Sequence, residues 1–266
     1  MALYHEVAGP AHGRTVLLSS GLGGSAGFWA PQREALLAAG LRVVAYDHRG
    51  TGRSPGTLPT PYGIDRMAQD VLEVMDASDT ASCHFVGHAL GGLVGLQLAL
   101  DAPQRIDSLT LVNAWSQPNP HSARCFEARL ALLDACGTRA YVEAQPIFLY
   151  PAAWAAANAE RVQAEVEHAC AHFPGAAIMH ARIGALRAFD IHQYLHRITV
   201  PTLVSAAQDD TLVPWTCSQA LAAELPHADL DLVPHGGHAH TVTEAEAFNR
   251  VLLDFLTLDH AKLADK

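Results

Sequence analysis

The chain has 266 residues, half of them apolar, and carries a formal charge of −10. This length allows one α/β domain with a substantial core and an insertion, and the charge argues against nucleic acid or an anionic membrane as a partner. The five cysteines show no C-x-x-C spacing, which predicts reduced thiols. The sequence shows neither a basic and apolar leader nor an apolar run of about 18 residues, so a cytoplasmic protein is expected.

A predicted strand at 15–20 leads into the glycine-rich stretch Gly21–Ala26. Because the next predicted strand, at 41–47, ends in Asp47, the stretch allows a dinucleotide-binding interpretation and hence an NAD-dependent oxidoreductase. The spacing of the following helix argues against that interpretation. The helix is predicted only from Pro31, whereas a pyrophosphate-binding helix begins almost at the last small residue of the motif.

The central motif of the chain lies where a predicted strand beginning at Cys83 turns into an apolar helix. The turn is the run Gly87-His88-Ala89-Leu90-Gly91. It matches the G-x-S-x-G nucleophile elbow, except that Ala89 stands where that motif presents its serine. Its glycines let the backbone turn sharply and let the helix pack closely on the strand. The sequence therefore predicts the backbone of a nucleophile site without the nucleophile.

The pattern changes after a further predicted strand at 106–112. From 114 to 195 the chain has alanine-rich helical stretches and no β-prone run, which predicts a helical cap inserted between strands of the sheet. Residues 1–113 and 196–266 are predicted to form the core, a mostly parallel sheet with helices on both faces. The other predicted core elements are strands at 3–7, 201–205 and 229–233, and helices at 64–77, 215–225 and 245–258, the last with a capping box of Thr243 and Glu246.

Three stretches resemble, in their order along the chain, the catalytic segments of the α/β-hydrolases. They are the elbow turn, the run Gln208–Pro214 and the run His235–His238. In that family the catalytic triad runs nucleophile, acid, histidine. The resemblance implies the α/β-hydrolase fold, and it covers nearly the whole chain.

The same resemblance assigns roles to individual residues. Asp210 matches the acid because it precedes a proline by four residues, and His238 matches the catalytic histidine. An oxyanion hole is implied from the amides of Leu22 and Leu90, since Ser20-Gly21-Leu22 stands where the family has His-Gly-x.

A narrower resemblance is carried by the elbow turn together with the runs Tyr46–Gly52 and Glu143–Pro151. These are similar to the RutD family, the aminoacrylate or carbamate hydrolases of bacterial pyrimidine (uracil) utilisation. Its members resemble this chain even in having alanine at the elbow tip, which implies that Ala89 is natural. A serine hydrolase whose nucleophile had been replaced to trap substrate would show the same residue, so both origins stay open.

The mechanism implied by the resemblance uses water. Ala89 has no hydroxyl and cannot form an ester, so His238, held by Asp210, would activate water to attack a small labile substrate. No metal or cofactor is expected. Three other interpretations remain open: a serine esterase or amidase with a mutated nucleophile, a non-catalytic binding relative, and a metal site of His235, His238 and His240.

The cap is expected to select the substrate, because in this fold it lies over the carboxyl ends of the strands. A small anionic substrate needs a positive or hydrogen-bonding group there. The candidates are Arg124, Arg129, Tyr150 and Trp154. His88, beside the elbow tip, is interpreted as a packing residue. A small molecule is the expected ligand, and a monomer or homodimer the expected assembly.

Overall fold

The computed structural model describes residues 2–258, and these form a single sheet flanked by helices. Its strands are β1 (His5–Ala8), β2 (Thr15–Ser19), β3 (Arg42–Tyr46), β4 (Cys83–His88), β5 (Ile106–Val112), β6 (Thr202–Ala207) and β7 (Ala228–Val233). Their order in the sheet is β1-β3-β2-β4-β5-β6-β7. Only the pair β1 and β3 among these is antiparallel, which confirms the predicted, mostly parallel α/β architecture.

The helices of the core are α1 (Ala30–Ala38), α2 (Ile64–Ala77), α3 (Leu90–Asp101), α8 (Trp215–Glu224), α9 (His240–Thr243) and α10 (Ala245–Thr257). Between β5 and β6 lie α4 (Pro120–Leu149), α5 (Ala152–Ala157), α6 (Ala159–Ala171) and α7 (Ala176–Ala188). The long helix α4 is bent at Gly137, whose φ of 85° is not helical. These four helices fall within the predicted cap, 114–195, whose boundaries stay a prediction.

Two apolar layers hold the sheet, because successive side chains of a strand point to opposite faces. On β2, Leu17 joins the layer formed with α2 and α3, where Val71 is fully buried. Its neighbour Leu18 joins the opposite layer, with Leu36 of α1 and Leu252 of α10. Burial on both faces explains why these strands read as continuous apolar runs.

The chain reverses its direction of winding between β2 and β4. β1 to β3 lie on one side of this junction and β5 to β7 on the other. Parallel sheets bind ligands outside the carboxyl ends of the strands at such a switch point. The pairing of Ser19 with Gly87 places the end of β2 beside the elbow turn, so the predicted oxyanion loop and elbow meet there.

Two local predictions need correction. β1 begins at His5 and not at residue 3. The capping box before the last helix is wrong, because the Thr243 hydroxyl donates to the carbonyl of Gly236 at 2.7 Å and α10 begins without a side-chain cap.

Across residues 2–258, no helix combines the length and the apolar character needed to cross a membrane.

Candidate active site

The elbow has the strained backbone that its glycines allow. Ala89 has φ 46° and ψ −109°, a left-handed conformation that costs an alanine about 1–3 kcal/mol. A Cβ at Gly87 would lie 2.4 Å from the carbonyl oxygen of Gly91, and a Cβ at Gly91 would lie 2.1 Å from that of Ser19. Both glycines are therefore required for α3 to start directly above the strand ends.

The acid and the histidine form a buried pair. Asp210 Oδ2 lies 2.7 Å from His238 Nδ1, and both side chains are almost fully buried. The other carboxylate oxygen, Oδ1, accepts the amides of Leu212 and Val213 at 2.7 and 3.0 Å. Because Nδ1 donates to the carboxylate, the lone pair of His238 is on Nε2, as a general base requires.

Two further side chains contact the backbone carbonyl of His238. The carbonyl oxygen of His238 lies 2.7 Å from Nε2 of His88 and 2.7 Å from Nδ2 of Asn113. A carbonyl can only accept, so His88 carries its proton on Nε2, and its buried Nδ1 has no partner among the described residues. His88 is thus more than the packing residue that the sequence suggested.

Two of the three histidines considered for a metal site, His238 and His240, have other partners. Around His240, Asn113 lies 3.3 Å from Nδ1 and the Ser205 hydroxyl 3.0 Å from Nε2, while His238 is paired with Asp210. Residues 2–258 contain no cluster of three or more His, Cys, Asp or Glu side chains suited to hold a metal ion.

Burial lowers the pKa of His88, and it lowers that of His240 to about 4. An unfolded chain protonates these histidines near pH 6.5, so it binds more protons than the folded protein between about pH 6.5 and 4. We therefore expect full stability above pH 6.5 and a loss as the pH falls, of about 3 kcal/mol from His240 alone. Urea unfolding at several pH values between 7.5 and 4.5 measures this loss of unfolding free energy. His240→Gln should flatten the decline and exposed His180→Gln should not; equal slopes in all three proteins would refute the assignment.

The elbow, His238 and the end of β2 line one cavity of about 150 Å³. Its wall includes Ala89, Leu90, Leu22, His238 and Arg129, so the structure brings these predicted residues together. Asp210 lies behind His238. The volume is below the ~300–1,000 Å³ of ordinary ligand pockets, which favours a very small substrate. A larger cavity, of about 1080 Å³ beside α7, contains none of these groups.

Ser20 and Gln145 also line the cavity, although the sequence assigned no role to either side chain. The hydroxyl of Ser20 is buried and has no hydrogen-bond partner in the described structure.

Of the four cap residues predicted to bind substrate, only Arg129 is found in this wall, and its side chain is buried. Its Nη2 donates to the Tyr141 hydroxyl at 2.9 Å, and its guanidinium lies 5.2 Å from the centroid of that ring. Its Nε has no partner within residues 2–258. The cavity wall has no carboxylate to balance this charge. A buried cation without a counter-ion is costly, so the site favours an anionic ligand.

The other three cap candidates lie outside this cavity. Arg124 is exposed, because five residues along a helix turn it well away from the buried face of α4 that carries Arg129. The Tyr150 hydroxyl donates to Glu165 at 2.7 Å, and its ring packs on Trp154 with centroids 4.7 Å apart. Neither aromatic side chain belongs to the cavity wall.

The dinucleotide interpretation does not fit the structure. The Asp47 carboxylate accepts the amide of Ala26 at 2.8 Å and is bound by Arg53, with 2.8 Å to its Nε. It therefore holds the glycine-rich loop in place and is not free for a ribose. The helix after the loop begins only at Ala30, following a short 3-10 turn.

The sequence missed one cation entirely. Arg182 of α7 has no exposed surface and donates to the backbone of Gly21 and Leu22. Arg182 lies three residues after Met179 and four before Leu186, so all three side chains share the buried face of α7. An arginine on an otherwise apolar helix face is the sequence signal that would have identified it.

The α/β-hydrolases have this arrangement: an elbow, an acid and a histidine follow one another along the chain and meet at the strand ends of the sheet. Residues 14–244 match the family described as alpha/beta hydrolase fold. A hydrolase from Pseudomonas aeruginosa PA01 has a similar structure, with a TM-score of 0.83, 32% identity, and coverage of 96% of this chain and 94% of that one. The enol-lactonase of Burkholderia xenovorans LB400 has a TM-score of 0.86 at 27% identity, covering 96% of each chain.

A protein of Variovorax paradoxus (strain S110), provisionally named carbamate hydrolase RutD, is 70% identical over 256 residues, covering 96% of each chain. The chain therefore belongs to the RutD family of α/β-hydrolases.

Proposed function

We propose that this hydrolase cleaves a small, labile C–N substrate, carbamate or aminoacrylate, in the cytoplasmic breakdown of pyrimidines. The observation that carries the proposal is the pair of Asp210 and His238 at 2.7 Å beside an elbow whose tip is Ala89. A base is in place, but the residue that would form an ester has no hydroxyl. The name of the Variovorax relative supports carbamate, and the small cavity agrees with either substrate.

In the proposed mechanism His238 Nε2 removes a proton from water as the water attacks the substrate carbon. The amides of Leu22 and Leu90 stabilise the negative charge that develops in the addition step. With carbamate, His238 then returns the proton to the nitrogen, the C–N bond breaks, and ammonia and bicarbonate leave. With the imine tautomer of aminoacrylate, the returned proton gives a carbinolamine. His238 then carries the proton of the new hydroxyl to the nitrogen, and the C–N bond breaks to give ammonia and an aldehyde.

The missing serine is compatible with such substrates. Serine hydrolases stripped of triad members retain about 10³–10⁴-fold catalysis from binding and the oxyanion hole. This is too little for a stable amide, but it suffices for molecules that already decompose in water.

Arg129 is proposed to bind the substrate carboxylate. Carbamate and aminoacrylate are both anions, and its buried guanidinium has an unpaired Nε in a cavity without acidic groups. All these residues come from one chain, so a monomer or a homodimer can carry the site.

The proposal is tested by ammonia release from carbamate and aminoacrylate above the spontaneous rate. We expect His238→Ala to slow the enzymatic reaction about 10²–10⁴-fold, since the general base is lost. Exposed His227→Ala is the matched control and should keep the wild-type rate. If His238→Ala equals wild type, the cavity is not a catalytic site and the chain is a binding protein.

Two further variants in the same assay separate the alternatives. Ala89→Ser should gain little activity on nitrophenyl acetate; strong esterase activity would indicate a serine hydrolase that had lost its nucleophile. Arg129→Met should raise KM more than it lowers kcat, and exposed Arg139→Met should change neither.

A further inference from the structure

We infer that Arg182 is a positioning residue for the oxyanion hole, holding the Gly21–Leu22 peptide with its N–H turned into the catalytic cavity. The inference rests on the proposed function, because it assigns a role within that site. It also gives a role to a buried cation that lies 160 residues from Leu22 in the sequence and that the mechanism above does not use.

The surroundings of Arg182 are unusual for a charged side chain. It is fully buried, and its hydrogen bonds go to neutral acceptors: the Leu22 carbonyl at 3.1 Å, the Gly21 carbonyl at 3.4 Å and His48 Nδ1 at 3.1 Å. Burial lowers its pKa, yet a guanidinium stays protonated at neutral pH. Its Nη1 has no partner within residues 2–258. An ion buried this way lowers stability, so a role other than stability is indicated.

The geometry of the peptide bond gives that role. In a trans peptide the C=O and the following N–H point in opposite directions. Arg182 and the amide of Gly24, at 3.0 Å, both bind the Gly21 carbonyl. The Leu22 N–H is therefore directed away from Arg182. No described residue accepts a hydrogen bond from it.

The side to which the N–H points is the catalytic cavity. Residues 21–24 line that cavity, whereas Arg182 does not. The loop thus separates the guanidinium from the substrate space. Hydrogen bonds to the carbonyl side polarise the peptide, so its N–H becomes a stronger donor in a low-dielectric site. A fixed positive charge behind the loop also favours an oxyanion in front of it.

A chain of neutral side chains keeps Arg182 in this orientation. His48 accepts from Arg182 at Nδ1, so its proton is on Nε2, which lies 3.3 Å from the Ser19 hydroxyl. Ser19 in turn lies 2.9 Å from the Tyr46 hydroxyl, and the His48 and Tyr46 rings are stacked. Burial lowers the pKa of His48, so it remains an acceptor for Arg182. The cap helix is thereby locked to the ends of β2 and β3.

The test compares Arg182→Met and Arg182→Lys with Arg187→Met, an exposed position on the same helix whose partner is Glu127. We expect Arg182→Met to lower kcat about ten- to a hundredfold, less than the loss of an oxyanion donor itself, with KM changed less than threefold. Lysine keeps the positive charge but lacks the planar set of N–H donors of the guanidinium, so Arg182→Lys should give an intermediate kcat. Arg187→Met should match wild type.

Hydrogen exchange of the backbone amides of residues 20–25 is measured on the same proteins. Faster exchange there in both Arg182 variants, with the folded fraction unchanged by circular dichroism, supports the inference. Unchanged exchange, or a kcat that falls only as the folded fraction falls, overturns it. If Arg182→Met does not fold, Arg182→Lys decides.

The two proposals fail separately. Wild-type protein without activity on carbamate or aminoacrylate would refute the proposed function, while the exchange measurement needs no substrate and still reports whether Arg182 orders the loop.

Discussion

Asp210→Asn should abolish most of the catalysis while leaving the fold intact. The reason is the direction of the new amide. The oxygen of Asn would take the place of Oδ1, which accepts the amides of Leu212 and Val213. Its NH₂ would then face His238 Nδ1 and donate to it. The histidine proton is forced onto Nε2, and the lone pair that must accept a proton from water is lost. An equivalent tautomer change in a serine protease costs about 10⁴-fold in kcat.

The measurement is the steady-state rate on carbamate or aminoacrylate at neutral pH. Exposed Asp229→Asn, on β7, makes the same chemical change and should keep the wild-type rate. Urea unfolding of both variants checks that stability is retained. A rate for Asp210→Asn within threefold of wild type would show that His238 does not act as the base.

Gly91→Ala is expected to damage both stability and activity. A Cβ at this position would lie 2.1 Å from the carbonyl oxygen of Ser19 and 2.8 Å from that of Ser20. These are backbone atoms of the strand that carries the oxyanion loop, so α3 and the loop must move apart. Overpacking typically costs about 1–3 kcal/mol, and a value at the upper end is expected here because the obstructing atoms are backbone. The urea midpoint should fall, and the remaining folded protein should be less active because Leu22 is displaced.

Gly184→Ala is the matched control for this experiment. Gly184 is also inside a helix, α7, but a Cβ there would meet nothing within 4 Å. Replacing an open helical glycine by alanine stabilises by about 1 kcal/mol. Opposite signs of the two changes in unfolding free energy are expected. A Gly91→Ala protein as stable as wild type would mean that the close packing of α3 on β2 is not required.

Local signals in the sequence were sufficient for the framework of the site. Buried strands appear as apolar runs, and α2 shows its face at a spacing of three and four residues. The elbow, Asp210 and His238 stand in short motifs whose geometry is set within a few residues, so the sequence could name them. The sheet and its strand ends then bring the three together without further information.

Contacts between distant segments could not be predicted in the same way. Arg182 meets Leu22 across 160 residues, and Asn113 meets the His238 carbonyl across 125. No local pattern reports such pairs. Two of the cap candidates outside the cavity, Tyr150 and Trp154, follow the bend at Gly137, which interrupts the helical phase that would show which side chains point inward. Thr243 does not cap α10, because its hydroxyl donates to the carbonyl of Gly236 instead.

The conformation of Ala89 also has an evolutionary meaning. A left-handed backbone is the expensive part of a nucleophile elbow, and this chain already maintains it, together with a paired acid and histidine. Alanine and serine codons can differ by one nucleotide. The first step toward a covalent mechanism would therefore be a single base change that adds one oxygen atom to a backbone already shaped to present it. Whether such a change brings an advantage depends on the substrate: for a compound that water alone can cleave, a covalent intermediate adds a second step to be completed.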